Sequence, residues 1–120
     1  LEVAHQKLSR LIVVETMHER KRMMVDMSQG FVVLPGGLGT LDETFEILTW
    51  KQLSLHRHPI VILNVEGYWD RLIGLVSHAA DEGFIRPQHR SLFRAVSSVE
   101  EVLPALAAEA DGGGVETSRI

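Results

Sequence analysis

The sequence predicts an α/β fold in which a Rossmann-like parallel sheet carries helices on both faces. Short runs of apolar, mostly β-branched residues alternate with longer stretches that show the periodicity of helices. Strands that are apolar throughout are typical of parallel sheets, because helices cover both sides of such a sheet. No apolar run approaches the ~20 residues that a membrane-spanning helix needs.

The predicted strands and helices alternate along the chain. The strands are residues 11–14, 31–34 and 60–63, with a weaker edge strand at 94–96. The helices are residues 17–28, 40–56, 68–82, 87–93 and 99–110. Gly30 and Gly83 follow two of these helices, at a position where glycine commonly ends a helix. Three convincing strands and one weak strand are few for a complete doubly wound sheet.

Length, charge and composition narrow the class of protein. Of the 120 residues, residues 1–110 form the predicted domain, and residues 111–120 form a predicted flexible tail that contains a run of three glycines. The absence of cysteine excludes disulfides and thiol chemistry and is compatible with a cytoplasmic protein. A net charge of −4 argues against nonspecific binding of nucleic acid. The chain begins with Leu1 rather than Met, which suggests a processed or partial chain.

A cluster of glycines follows the second predicted strand. Residues 35–40 (PGGLGT) lead from the carboxyl end of that strand into a helix, at the edge where ligands bind in open α/β sheets. Gly36, Gly37 and Gly39 let the backbone approach a ligand, and the amides at the start of the helix attract an anion. The loop lacks the lysine of a Walker motif and the third glycine of a dinucleotide motif. We therefore predict a phosphate site for a mononucleotide or a sugar phosphate, in preference to a mere tight turn.

Two interpretations fit the acidic residues that follow this loop. Thr40 and Glu43 have the spacing of a capping box, in which each side chain would satisfy a backbone amide at the start of the helix. Asp42, Glu43 and Glu46 also place three carboxylates beside the predicted anion site. A carboxylate there can stabilise an oxocarbenium-like transition state or activate a water molecule. The local sequence leaves both roles open for Glu43.

The predicted helix at residues 17–28 carries an arginine on an apolar stripe. Arg20 and the methionines at positions 23, 24 and 27 recur at helical spacing, which places the arginine on the predicted inward face. A buried guanidinium needs an anionic partner. We therefore favour a functional Arg20 over one that extends from the end of the stripe into solvent.

Two further features have ordinary structural interpretations. His56 and His58 could form half of a metal site, but they precede Pro59 at the end of a predicted helix, so we expect surface imidazoles. Trp50 lies in the middle of a predicted helix and is expected in the core or in a subunit interface.

Two motifs carry a resemblance to a known family. Residues 17–21 (MHERK) and residues 35–43 (PGGLGTLDE) resemble the Lonely Guy (LOG) family of cytokinin riboside 5′-monophosphate phosphoribohydrolases, whose members are often labelled lysine decarboxylases. The resemblance covers residues 1–110, and Thr16 and His58 depart from it outside the two motifs. Members usually have about a further third of chain upstream. The resemblance therefore implies that this chain lacks the first strands of the sheet and part of the nucleotide site.

The resemblance also implies an activity and a set of site residues. The activity is hydrolysis of the N-glycosidic bond of a nucleoside 5′-monophosphate, either cytokinin riboside monophosphate or AMP, to a free base and ribose 5-phosphate. The implied phosphate ligands are the backbone and hydroxyl groups of Gly36, Gly37, Gly39 and Thr40. The implied catalytic pair is Arg20 and Glu43, and the implied binding residues on the helix of Arg20 are Met17, His18 and Lys21. The family uses neither a metal nor a cofactor and forms homodimers or larger homo-oligomers.

Other functions stay open from the sequence. The glycine loop alone would suffice for a non-catalytic nucleotide-binding module or for an inactive fragment, whereas the presence of both Arg20 and Glu43 favours an enzyme. Lysine decarboxylation is not favoured. That chemistry normally uses pyridoxal phosphate bound to a lysine, and the pattern around Lys7, Lys21 and Lys51 does not suggest such a lysine.

Overall fold

Three parallel strands form the sheet, in the order β1–β2–β3. The computed structural model describes the backbone of residues 17–119 and the side chains of residues 22–110. The strands are β1 (Phe31–Val33), β2 (Ile60–Leu63) and β3 (Arg94–Val96). The helices are α1 (Met17–Met27), α2 (Leu38–Gln52), α3 (Asp70–Asp81) and α4 (Val102–Arg119). Short 3-10 turns cover Val65–Gly67, Pro87–His89 and Val99–Glu101.

The predicted α/β class and parallel sheet are confirmed. β1 pairs with β2, and β2 pairs with β3, both in parallel register. The predicted strand at residues 11–14 lies outside the described residues. Among the residues that are described, no helix is both long enough and apolar enough to cross a membrane.

Strand β2 is the centre of the core because both of its faces are buried. Ile60 and Ile62 pack on one face, in a cluster with Leu48 of α2 and Leu72 of α3. Val61 and Leu63 pack on the opposite face, where the cluster includes Val102 and Ala105 of α4. This two-residue alternation is that of a strand. Helices therefore cover both sides of the sheet, as the uninterrupted apolar run predicted.

Helix α2 ends earlier than predicted because a residue other than glycine closes it. The prediction extended this helix to residue 56, whereas α2 ends at Gln52. Ser54 adopts a left-handed conformation with φ 63°. Its amide donates to the Lys51 carbonyl, and the Leu55 amide donates to the Trp50 carbonyl, which are the two hydrogen bonds of a Schellman motif. The sequence gives no glycine signal at this position, so the stop was missed.

Gly83 does provide the predicted stop for α3. It follows the helix with φ 87°, a left-handed conformation that favours glycine. The Gly83 amide donates to the Ala80 carbonyl, and the Phe84 amide donates to the Ala79 carbonyl. The chain thus ends α3 with the same hydrogen-bond pattern that ends α2.

A capping box begins the 3-10 turn Val99–Glu101, which leads directly into α4, and α4 runs beyond the predicted end. Glu101 Oε1 accepts hydrogen bonds from the Ser98 amide at 3.0 Å and the Ser98 hydroxyl at 2.9 Å, which pulls the pKa of Glu101 below its ordinary value. The prediction ended the helix at residue 110, before the glycines, whereas its backbone continues to Arg119. Glycine weakens a helix but keeps the amide donor, so it does not terminate one as proline does.

Two histidines, His56 and His58, contact α1 and α2 just before the start of β2. The expectation of surface imidazoles is wrong for His56. His56 is buried, and its Nε2 lies 2.8 Å from the Ile47 carbonyl. Its Nδ1 accepts the amide of His58 at 3.1 Å. The two rings stack at 5.3 Å, and His58 Nε2 lies 3.0 Å from the Val25 carbonyl of α1. The sequence places these histidines at a helix end but does not reveal that three elements converge there.

Trp50 is buried, in agreement with one of its two predicted locations. Only 6% of its surface is exposed, and the guanidinium of Arg22 lies 5.8 Å from the centre of its ring. Its partners therefore come from α1 as well as from its own helix.

The hydrogen bonds of His56 require the neutral ring. A carbonyl can only accept, so Nε2 carries the proton and Nδ1 must stay unprotonated to accept the His58 amide. Burial lowers the pKa of His56, and the neighbouring positive charges of His58, Lys51 and Arg22 lower it further. As the pH falls, the unfolded chain therefore takes up a proton before the folded chain does.

We predict that protonation of His56 leaves the free energy of unfolding unchanged above about pH 6.5 and lowers it as the pH falls below that value. Urea denaturation at a series of pH values measures this dependence. His56→Gln should lower the stability at pH 8 by about 1–3 kcal/mol and flatten the curve between pH 6.5 and 5. The matched variant at the exposed His78, His78→Gln, should keep the slope of the parent chain. Equal slopes in the parent chain and in His56→Gln would contradict the prediction.

Candidate active site

The glycine loop lies where the sequence placed it, between the carboxyl end of β1 and the start of α2. Gly37 is the N-cap of α2, and no side chain makes a capping hydrogen bond there. The Leu41 amide donates to the Gly37 carbonyl at 3.0 Å. The amides of Leu38, Gly39 and Thr40 come before this bond and have no acceptor within the helix. They form the positive end of the helix dipole, which is suited to binding an anion.

The three glycines of the loop have different local roles. A Cβ atom on Gly36 would lie 2.2 Å from the Thr40 hydroxyl, so no larger residue fits there without moving that side chain. A Cβ atom on Gly37 or Gly39 would meet no atom within 4 Å. Gly36 is thus required by packing within the loop, whereas Gly37 and Gly39 face open space that a ligand can occupy.

The predicted capping box at Thr40 and Glu43 is wrong. The helix begins two residues before Thr40, which is its third residue rather than its N-cap. The Thr40 carbonyl accepts the Thr44 hydroxyl at 2.6 Å, as a residue inside a helix can. The capping interpretation of Glu43 is therefore removed, and its role as a carboxylate of the site stays a prediction.

Glu43 borders a cavity of about 340 Å³ that opens beside β1. The cavity is mostly apolar, and its walls come from α1, β1 and α2. Thr40 and Glu46 line it together with Glu43, so two of the three predicted carboxylates face this space. Because Gly39 and Glu43 are four residues apart on α2, they share one face of the helix. The glycine loop and Glu43 therefore lie on the same side of α2.

Helix α1 carries the other predicted site residues. The backbone of Met17, His18, Arg20 and Lys21 is helical, and their side chains lie outside the described residues. Arg20 is one turn before Met24, which lines the cavity. The position of Arg20 on the helix is thus compatible with a role at this cavity, and the role itself stays a prediction.

The methionine stripe of α1 is not the buried face that the sequence predicted. Met24 is 37% exposed, and Val25 is the buried residue of the described part of this helix. The Val25 carbonyl also contacts His58, so this part of α1 faces the histidine pair. Hydrophobic spacing alone could not identify this contact.

Tyr68 is a site residue that the sequence interpretation missed. Its hydroxyl donates a hydrogen bond to the Gly36 carbonyl at 2.5 Å, from the loop that follows β2. The signal available in the sequence was its position just after the second described strand, since neighbouring parallel strands place their following loops at the same edge of the sheet.

Comparisons with known proteins show the family of this chain. The family model described as "Possible lysine decarboxylase" matches residues 1–106. A cytokinin riboside 5′-monophosphate phosphoribohydrolase of Rhodococcoides fascians is 44% identical over 105 residues, which are 88% of this chain and 53% of that protein. The Arabidopsis thaliana enzyme LOG5, which has the same activity in its name, is 39% identical over 107 residues, 89% of this chain and 47% of its own length.

A rice protein gives a third similarity. The probable cytokinin riboside 5′-monophosphate phosphoribohydrolase LOGL9 of Oryza sativa subsp. japonica is 47% identical over 92 residues, which are 77% of this chain and 40% of that protein. The fold and the glycine loop thus define an α/β protein with a parallel sheet and a glycine-rich turn from its first described strand into a helix. The chain belongs to the LOG family, whose model carries the lysine decarboxylase description. It spans about half the length of the curated relatives that it matches.

The different surroundings of Gly36 and Gly39 generate opposite predictions for the same substitution. Gly36→Ala should lower the free energy of unfolding by about 1–3 kcal/mol, because the new methyl group overlaps Thr40. Gly39→Ala should raise it by about 0.5–1 kcal/mol, because alanine favours the helix and has room. Urea denaturation of both variants measures these changes. A destabilised Gly39→Ala, or a Gly36→Ala as stable as the parent chain, would contradict the described loop.

Proposed function

We propose that this chain hydrolyses the N-glycosidic bond of nucleoside 5′-monophosphates, as the names of its relatives say of those proteins. The observation that carries the proposal is the pairing of the glycine loop with Glu43 on one face of α2, beside a cavity. Helical rise separates Gly39 from Glu43 by about 6 Å along the axis, a distance that a ribose 5-phosphate can span.

In the proposed complex the phosphate binds at the start of α2. The amides of Gly37 and Gly39 and the hydroxyl of Thr40 are the donors, together with the Gly36 segment that shapes the loop. A dianionic phosphate gains from the helix dipole and from charge-assisted hydrogen bonds to these groups. Open space at Gly37 and Gly39 permits the close approach that such bonds require.

The proposed reaction breaks the bond between ribose C1′ and the base nitrogen. Positive charge develops on the ribose ring as the bond lengthens, and the Glu43 carboxylate stabilises it and orients the attacking water. Water adds its oxygen to C1′, and the departing base takes up a proton. Arg20 and Lys21, one turn before the cavity, supply positive charge for positioning the substrate, and Met17 and His18 are proposed to contact the base.

Lysine decarboxylation finds no support in the described residues. Lys51 is the lysine whose side chain the structure describes, and it donates to the Leu92 carbonyl at 2.9 Å. It lies in the last turn of α2, about 20 Å from the glycine loop by helical rise. Burial lowers the pKa of Lys51, but its amine is engaged at the opposite end of the helix from the candidate phosphate site.

We further propose that the protein acts in the cytoplasm as a homodimer or larger homo-oligomer. Leu38 is 84% exposed and Leu34 is 57% exposed, and both belong to the segment around the glycine loop. Exposed apolar side chains next to a functional site favour a contact with another protein surface. Light scattering should give at least twice the mass of one chain, and a monomer at micromolar concentration would contradict the proposal.

We predict that the chain releases adenine from AMP and that Glu43→Gln lowers kcat by about 100- to 10,000-fold, because the substitution removes the charge that stabilises the transition state. Chromatographic detection of free adenine measures the reaction. Asp42→Asn is the matched control, since it removes the same charge from the adjacent position of α2 and should retain most of the activity.

The possible results separate the proposed functions. Adenine release that persists in Glu43→Gln contradicts the role of Glu43. Binding of AMP by the parent chain without release of adenine would indicate a nucleotide-binding module instead of an enzyme. Equal losses in Glu43→Gln and Asp42→Asn would mean that the general field of the helix, and not one carboxylate, carries the effect.

A further inference from the structure

One hydrogen bond joins the two loops at the carboxyl edge of the sheet. The Tyr68 hydroxyl donates to the Gly36 carbonyl at 2.5 Å. Gly36 follows β1, and Tyr68 follows β2, the strand that pairs with β1 in parallel register. The contact therefore spans the loops of two neighbouring strands, 32 residues apart in the chain.

The loop that carries Tyr68 is itself held by the side chain of Asn64. Asn64 Oδ1 accepts the Trp69 amide at 2.6 Å, and Asn64 Nδ2 donates to Asp70 Oδ1 at 2.8 Å. The backbone amide of Asn64 donates to the Val96 carbonyl of β3 at 2.7 Å. The Tyr68 ring packs edge-on against Trp69, which is buried. These contacts thus connect the loop of Tyr68 to both β2 and β3.

The backbone of this loop is left-handed at two successive residues. Glu66 and Gly67 adopt left-handed conformations with φ 51° and 73°. A Cβ atom on Gly67 would lie 2.6 Å from Asp70 Oδ2, so the loop closes tightly on the residue that Asn64 also contacts. A left-handed residue other than glycine costs conformational energy, which the surrounding hydrogen bonds offset. This geometry presents the Tyr68 hydroxyl to the glycine loop from a fixed direction.

Fixing the Gly36 carbonyl also fixes the Gly37 amide. The peptide bond between them is planar and trans, so its carbonyl and its N–H point to opposite sides. We propose that Tyr68 is a positioning residue, which orients the Gly37 amide toward the phosphate of the substrate through its hydrogen bond to Gly36. The inference rests on the proposed phosphate site and deepens it by assigning a residue that acts on the loop from a different strand.

The test compares two variants that each remove one hydroxyl. Tyr68→Phe removes the hydrogen bond to Gly36 and keeps the ring on Trp69. Ser98→Ala removes a hydroxyl from the capping box of the 3-10 turn before α4, where it contacts Glu101 and not the glycine loop. Each variant of the full chain is measured for the Kd of AMP by calorimetry, for KM and kcat of adenine release, and for thermal unfolding.

We expect Tyr68→Phe to raise the Kd and the KM for AMP by about 3- to 10-fold, the effect of one neutral hydrogen bond, with kcat within about twofold of the parent chain. Ser98→Ala should leave Kd and KM unchanged even if it lowers the melting temperature as much. A Kd in Tyr68→Phe within twofold of the parent value overturns the inference, and so does an equal weakening in Ser98→Ala.

The failure of the proposed hydrolysis has a different signature. If the parent chain binds AMP but releases no adenine, the hydrolase proposal fails, and the Kd values alone decide the role of Tyr68. If the parent chain does not bind AMP, the phosphate site fails and the role of Tyr68 is overturned with it.

Discussion

The burial of β2 on both faces is the constraint on which the rest of the molecule depends. Its four residues alternate between two apolar clusters, one closed by α2 and α3 and the other by α4. A strand with two apolar faces is stable only when helices cover both, and parallel neighbours must then be joined by helical crossovers. The crossovers bring the loops after β1 and β2 to the same edge, where the glycine loop and Tyr68 meet.

The candidate site lies at this edge of the sheet. Helix α2 begins at the glycine loop without a side-chain cap, so its first amides stay available, and its next turn carries Glu43 beside the cavity. In the proposed site, one helix thus supplies both the amides for the phosphate and the carboxylate, at a separation that its own geometry fixes. The hydrogen bond from Tyr68 links this helix start to the central strand.

The features that the sequence predicted well are those with local signals. Short-range sequence patterns identify three of these features, namely the apolar run of β2, the glycine loop and the Gly83 stop. The features it missed either depend on partners that are distant in sequence or use a residue whose type does not signal its conformation. Ser54 ends α2 without a glycine, His56 is buried where α1 and α2 converge on β2, and Tyr68 reaches a loop 32 residues away. The capping box failed for a local reason, because the helix begins after Gly37, two residues before Thr40.

The proposed hydrolysis requires that the glycine loop holds the phosphate while Glu43 faces the ribose. A crystal structure of the Glu43→Gln variant with AMP would show both contacts, since the variant should bind the substrate without cleaving it. We expect phosphate oxygens within hydrogen-bond distance of the Gly37 and Gly39 amides and C1′ beside position 43. A phosphate bound away from the start of α2, or a ribose turned from position 43, would contradict it.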